Sequence, residues 1–164
     1  MATNPVLRTP SDLSAEATAA VISVLNPLIA DAIALWLKTK NYHWHVAGPH
    51  FRDYHVLLDD QAANVLATVD PLAERVRKLG GRTITSIGHL AQLQSVKDND
   101  QSYVEARDML LDLVEENKQM AAALRKAHGI CDEHGDIGSA SLIEDFIDQT
   151  EERTWFLFES SRQV

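Results

Sequence analysis

The chain has 164 residues, 45% hydrophobic and 24% charged, enough for one ordinary globular domain, taken as 1–164 with a flexible N-terminal segment over 1–13. Its formal net charge of −9 repels polyphosphate backbones and attracts cations, which turns the expectation from nucleic acid toward metal. The single cysteine, Cys131, excludes an intramolecular disulfide, no run is read as the roughly 18 apolar residues of a membrane span, and the first residues lack the basic-then-apolar pattern of a secretion signal. A cytoplasmic protein with no membrane partner is expected.

Seven glycines and five prolines leave long stretches in which apolar positions recur at three and four, the period of a helix. Val21, Leu28, Ala32, Leu35, Thr39 and Tyr42 keep this step from near Ser14 to His45, with Asn26 and Pro27 read either as an N-cap and first helical position or, in preference, as a kink in one longer helix. Gly48 and Pro49 then break the chain. Phe51, Leu58, Ala62, Val65, Leu72, Val76 and Leu79 carry a second helix to Gly80 and Gly81, with a bend expected at Pro71. Ser86 to Gln94 predicts a short helix. A third long helix is predicted from about Asp100 to Ala127, a loop over Gly129 to Gly138, and a last helix from about Ser139 to Ser160. Four long helices without a strand signal define an all-α four-helix bundle. The near twenty-residue middle connection, carrying the short helix, is long enough to cross the bundle as ferritin-like folds require.

His43, His55, Asp59, Asp70 and Glu74 form the pattern H-x11-H-x3-D-x10-D-x3-E. Two imidazoles and three carboxylates suit an iron-class ion. Asp59 follows His55 by four residues and Glu74 follows Asp70 by four, so on a helix each pair shares a face. Asp59 and Asp70 are eleven residues apart, roughly 16 Å along a helix axis, too far to grip one ion. The simplest solution is a second copy running antiparallel, so that one chain supplies His55 and Asp59 and its two-fold mate supplies Asp70 and Glu74. The Glu-x-x-His motifs that place metal inside a di-iron bundle are absent.

The run from Lys40 through Asn41, Tyr42, His43, Trp44 and His45 to Phe51, followed by His55, Asp59, Asp70, Glu74, Arg75, Gly80 and Gly81, closely resembles the Dps family of mini-ferritins, also called DNA-binding proteins from starved cells. The resemblance implies a hollow dodecameric shell of ferritin-like subunits. It implies ferroxidase sites at two-fold interfaces that oxidise ferrous iron, preferably with hydrogen peroxide, before ferric mineral is stored inside, which protects against oxidative damage. It also implies that His43, His55 and Asp59 come from one subunit and Asp70 and Glu74 from the other, with Trp44 near the iron as packing or as an interceptor of stray oxidant. Acidic residues in the region of Asp136, Glu144, Asp145 and Asp148 line iron-admitting pores in the family, although Ser141 stands where many relatives carry a further acid.

The alternative function is a nucleoid protein that coats DNA with little or no ferroxidase activity. Family members that do so commonly use a lysine-rich terminal arm, whereas Met1 to Leu37 holds one basic residue, Arg8, and the last ten residues hold one, Arg162. That argues against direct DNA binding. Among the remaining residues, His45 and His50 fall off the ligand pattern and are read as neighbours of the site or surface groups. Trp36, Trp155, Phe156, Phe158 and Met120 are read as core or subunit contacts, and Cys131 as part of a surface loop.

Overall fold

The computed structural model describes residues 5–162, and the first four residues of the N-terminal segment lie outside them. A short 3-10 helix, Pro5–Leu7, precedes six α-helices: α1 (Ala15–His45), α2 (Phe51–Ala67), α3 (Val69–Lys78), α4 (Ile87–Leu93), α5 (Ala106–Glu133) and α6 (Ile137–Ser161). Among the described residues there is no strand. Helix α1 packs against α2 and α3, α5 packs most extensively against α6, and α1 joins the two pairs through α5. Together α2 and α3 make the second long helix, and α4 lies on the crossover, so the architecture is the expected ferritin-like bundle with a short helix in its middle connection.

Ser14 starts α1 by accepting a 3.1 Å hydrogen bond from the Ala17 amide, and the helix continues through Pro27 to His45. The Leu25, Ile29 and Leu35 side chains along it are almost fully buried. Contrary to the sequence expectation, α1 does hold a stretch long and apolar enough to cross a membrane by length and composition. Its packing against α2, α3 and α5 accounts for part of that composition, with 44% of the stretch buried.

The second long helix is interrupted at Thr68, three residues before Pro71. Proline has no N–H for the carbonyl of the preceding turn, so the chain tightens there. The Thr68 amide turns back to the Val65 carbonyl at 3.1 Å, and the Thr68 hydroxyl donates to the same oxygen at 2.8 Å. The new start places Asp70 in the first turn of α3. Gly80, with φ +78°, ends α3 in the left-handed conformation that favours glycine. The segment expected to be flexible docks here: the Thr9 hydroxyl donates to the Arg77 carbonyl at 2.9 Å and Arg77 donates to the Leu7 carbonyl at 3.1 Å.

The short helix matches its expected bounds, with Ser86 accepting from the His89 amide at 3.1 Å. The third long helix does not: it begins six residues later than expected, at Ala106, and runs six residues further, to Glu133. Asn99 holds the preceding chain out of the helix by donating to the Tyr42 hydroxyl and accepting from the Gln101 amide. At the other end Leu124, Ala127 and Cys131 extend one buried stripe past Gly129, so Cys131 lies in the core rather than in a surface loop. Burial pushes its thiol up to about 11, leaving it protonated and unreactive. The loop shrinks to His134–Asp136, with its turn at Gly135, φ +69°.

Candidate metal centre

The end of α1 and the first turns of α2 bring His43 and His55 face to face. The rings stack with centroids 3.8 Å apart and planes 24° from parallel, and Phe51 lies against His55 at 5.0 Å. Each ring is oriented by the other's backbone: His43 Nδ1 lies 2.8 Å from the His55 carbonyl oxygen, and His55 Nδ1 lies 2.9 Å from the His43 carbonyl oxygen. A carbonyl only accepts, so in both rings Nδ1 carries a proton, and in the neutral form Nε2 keeps a lone pair that could take a metal.

Asp59 lies one turn beyond His55. Its Oδ1 is 4.0 Å from His43 Nε2 and 2.6 Å from the Lys40 ammonium. The hydrogen bond and the charge of the Lys40 ammonium hold the Asp59 carboxyl below the usual carboxylate range. Ligands bound at about 2.1 Å and at right angles sit about 3.0 Å apart, so the His43 and Asp59 groups need to close by about 1 Å to share an ion. Asp70 and Glu74 occupy the exposed side of α3, opposite buried Leu72 and Val76, and Glu74 pairs loosely with Lys78 at 3.4 Å. They do not join the histidines: among the described residues, no three His, Cys, Asp or Glu groups of one chain come together as a metal cage.

Trp44 is 57% exposed, with the Lys40 ammonium 5.9 Å from its ring centroid. His45 and His50 are exposed, and His45 Nδ1 bonds to the Asn41 carbonyl. Of the acidic residues assigned to a pore by resemblance, Glu144, Asp145 and Asp148 face solvent on α6, with Glu144 2.9 Å from His128 Nε2. Asp136 does not belong with them. It is 2% exposed, caps α6 through the Ser139 amide and pairs with Arg75 of α3, whose Nε also donates to Ser139 at 2.8 Å. Its position at a helix start, three residues before a serine, was the signal for the cap, but nothing local pointed to Arg75. Asp136→Ala is expected to cost about 2 kcal/mol, through the lost cap and the stranded guanidinium beside Glu74, read as a lower thermal midpoint. A midpoint unchanged to within a degree would remove this link between α3 and α6.

Met120 is buried as expected. Trp155, Phe156 and Phe158 are 61%, 45% and 48% exposed, so they are not core residues of this chain.

Residues 22–160 match the ferritin-like domain family, which defines the class of the fold described above. The DNA protection during starvation protein of Agrobacterium fabrum is 33% identical over 92% of this chain and 93% of its own. Among solved structures, DpsC from Streptomyces coelicolor superposes with a TM-score of 0.92 at 28% identity, covering 96% of this chain and 92% of that one. The Dps protein of Vibrio cholerae O1, itself described as a member of a broad superfamily of ferritin-like diiron-carboxylate proteins, superposes with a TM-score of 0.87 at 25% identity, covering 99% and 98%. Within the ferritin-like class, the chain belongs to the Dps family.

Proposed function

We propose that the protein is a ferroxidase and iron-storage mini-ferritin. In this reading it oxidises ferrous iron, preferably with hydrogen peroxide, at centres shared by two-fold-related subunits. Ferric mineral is kept inside a hollow homo-oligomer, a dodecamer on the family's pattern. The observation that carries this reading is the reciprocal pair of Nδ1-to-carbonyl bonds, which leaves His43 and His55 with free Nε2 lone pairs beside Asp59.

Ferrous iron is the substrate. One subunit supplies His43, His55 and Asp59, and the second half of the centre comes from Asp70 of the partner subunit and Glu74 of the partner subunit. Three carboxylates offset most of the charge of a ferrous pair, while two neutral imidazoles add affinity without further charge, and coordination positions stay open for the oxidant. Two ferrous ions give one electron each, and peroxide takes both as its O–O bond breaks and two protons complete two waters. Pairing the electrons in this way avoids release of hydroxyl radical.

The exposed apolar residues Trp155, Phe156 and Phe158 fit contacts between subunits. The DNA protection in the relative's name fits removal of iron and peroxide, which needs no contact with DNA by a chain of net charge −9. A cytoplasmic location fits the same chemistry.

The test is anaerobic loading with ferrous iron followed by peroxide, with ferric absorbance recorded. Fast oxidation of about two ferrous ions per peroxide is expected, with dioxygen alone slower. Replacing His43, His55 and Asp59 together should abolish the fast phase. An unchanged initial rate would place the reaction elsewhere.

A further inference from the structure

We infer that Lys40 is a built-in counterion of this centre, holding Asp59 until a divalent ion displaces it and so setting both the affinity and the selectivity of the site. The inference rests on the reading that His43, His55 and Asp59 bind metal.

Lys40 lies one turn before His43 on the same side of α1. Its ammonium takes Asp59 Oδ1 at 2.6 Å, the same oxygen that lies nearest His43 Nε2. A cation bonded to both groups must use that oxygen or turn the carboxylate, and in either case it meets the ammonium. Asp59 is as exposed as the acids of the chain's surface ion pairs, at 59%, but the lysine of this pair is not. The Lys40 side chain is 18% exposed, whereas Lys78 and Lys118 are 60% and 56% exposed in their pairs with glutamates. A half-buried ammonium needs a compensating anion, and Asp59 is the carboxylate that provides it. The face of Trp44 at 5.9 Å offers the released ammonium an alternative resting place along its flexible stem.

The arrangement makes metal binding an exchange of one cation for another. A metal gains only by what it brings beyond neutralising Asp59, and what the site adds is two imidazole nitrogens. Ions that favour nitrogen as well as oxygen ligands, iron and cobalt among them, recover the cost of displacing Lys40. Magnesium, which favours oxygen and releases its water reluctantly, does not. Lys40 therefore acts against the abundant hard cation while only weakening the intended one.

Cobalt(II), followed by its visible absorbance, is the probe, titrated into the intact wild-type protein and into Lys40→Gln, Lys40→Arg and His55→Ala with and without excess magnesium. Lys40→Gln is expected to bind cobalt about tenfold more tightly, because a positive charge next to the ion has been removed. Its binding should also become sensitive to magnesium, whereas Lys40→Arg should stay within about twofold of wild type. Unchanged or weaker cobalt binding by Lys40→Gln, in a protein whose binding is still lost in His55→Ala, overturns the inference and leaves Lys40 as a support for Asp59. If wild type binds no cobalt, or His55→Ala binds it equally well, the assignment of the centre itself falls and the role of Lys40 falls with it.

Discussion

Asp59→Ala and Asp70→Ala proteins, each expected to oxidise iron with peroxide about a hundredfold more slowly than wild type, should recover about one quarter of the wild-type rate when unfolded together in equal amounts and reassembled. The figure follows from the proposed division of the centre. Random pairing makes half of the dimers mixed. In a mixed dimer one centre combines both lesions, while the other draws intact Asp59 from one chain and intact Asp70 from its mate. One centre in two, in one dimer in two, is restored. A site contained within one chain gives no recovery, because every chain carries a lesion. Reassembled mixtures that stay inactive, with subunit exchange verified by mass, would therefore refute the shared centre. The geometry behind the expectation is that His43, His55 and Asp59 meet at the junction of α1 and α2, whereas Asp70 and Glu74 stand apart on the solvent side of α3.

Lys38→Met is expected to destabilise the fold by about 3–5 kcal/mol, read as a lower urea midpoint with the slope unchanged. Lys38 points into the bundle, 2.9 Å from Asp112 and 2.8 Å from Glu116 on successive turns of α5. Tyr42 donates to the same Asp112, Asn99 donates to Tyr42 at 2.8 Å, and the Lys97 amide donates to Glu116 at 3.3 Å. Burial and the neighbouring Asp112 carboxylate raise the Tyr42 phenol well above its ordinary range, so it stays a donor. Removing the ammonium strands Glu116, itself 4% exposed, with a single long amide hydrogen bond. Adding Glu116→Gln to Lys38→Met is expected to recover part of the loss, since a neutral amide costs less to bury than an unpaired carboxylate. A single-variant cost below about 1 kcal/mol would show that the network contributes little to the fold.

The pieces legible in sequence share one property: each depends on residues within a few turns of one another. The three-and-four apolar step revealed the long helices, Ser86 and Gln94 bounded α4, and i, i+4 spacing put Asp70 and Glu74 together on the exposed side of α3. The misplaced ends of α5 show where this reach stops. Gly129 resembles a terminator locally, yet the helix passes through it because Ala127 and Cys131 find a core to enter, while Asn99 is drawn out of the helix by Tyr42, far away in sequence.

By itself, then, the sequence determined an all-α bundle and a spacing of histidines and carboxylates too long for one ion, since helical periodicity and rise per residue are local properties of the backbone. Only the tertiary structure decided which charges meet. It joined Lys40 to Asp59 across the α1–α2 turn, withdrew Asp136 from the solvent to pair with Arg75, and placed Lys38 between two carboxylates of α5. It also turned His43 and His55 onto each other's carbonyl groups, which set their tautomers. Such pairings depend on which helix faces pack together and how deeply each group is buried, and that is a property of the assembled bundle rather than of any one segment.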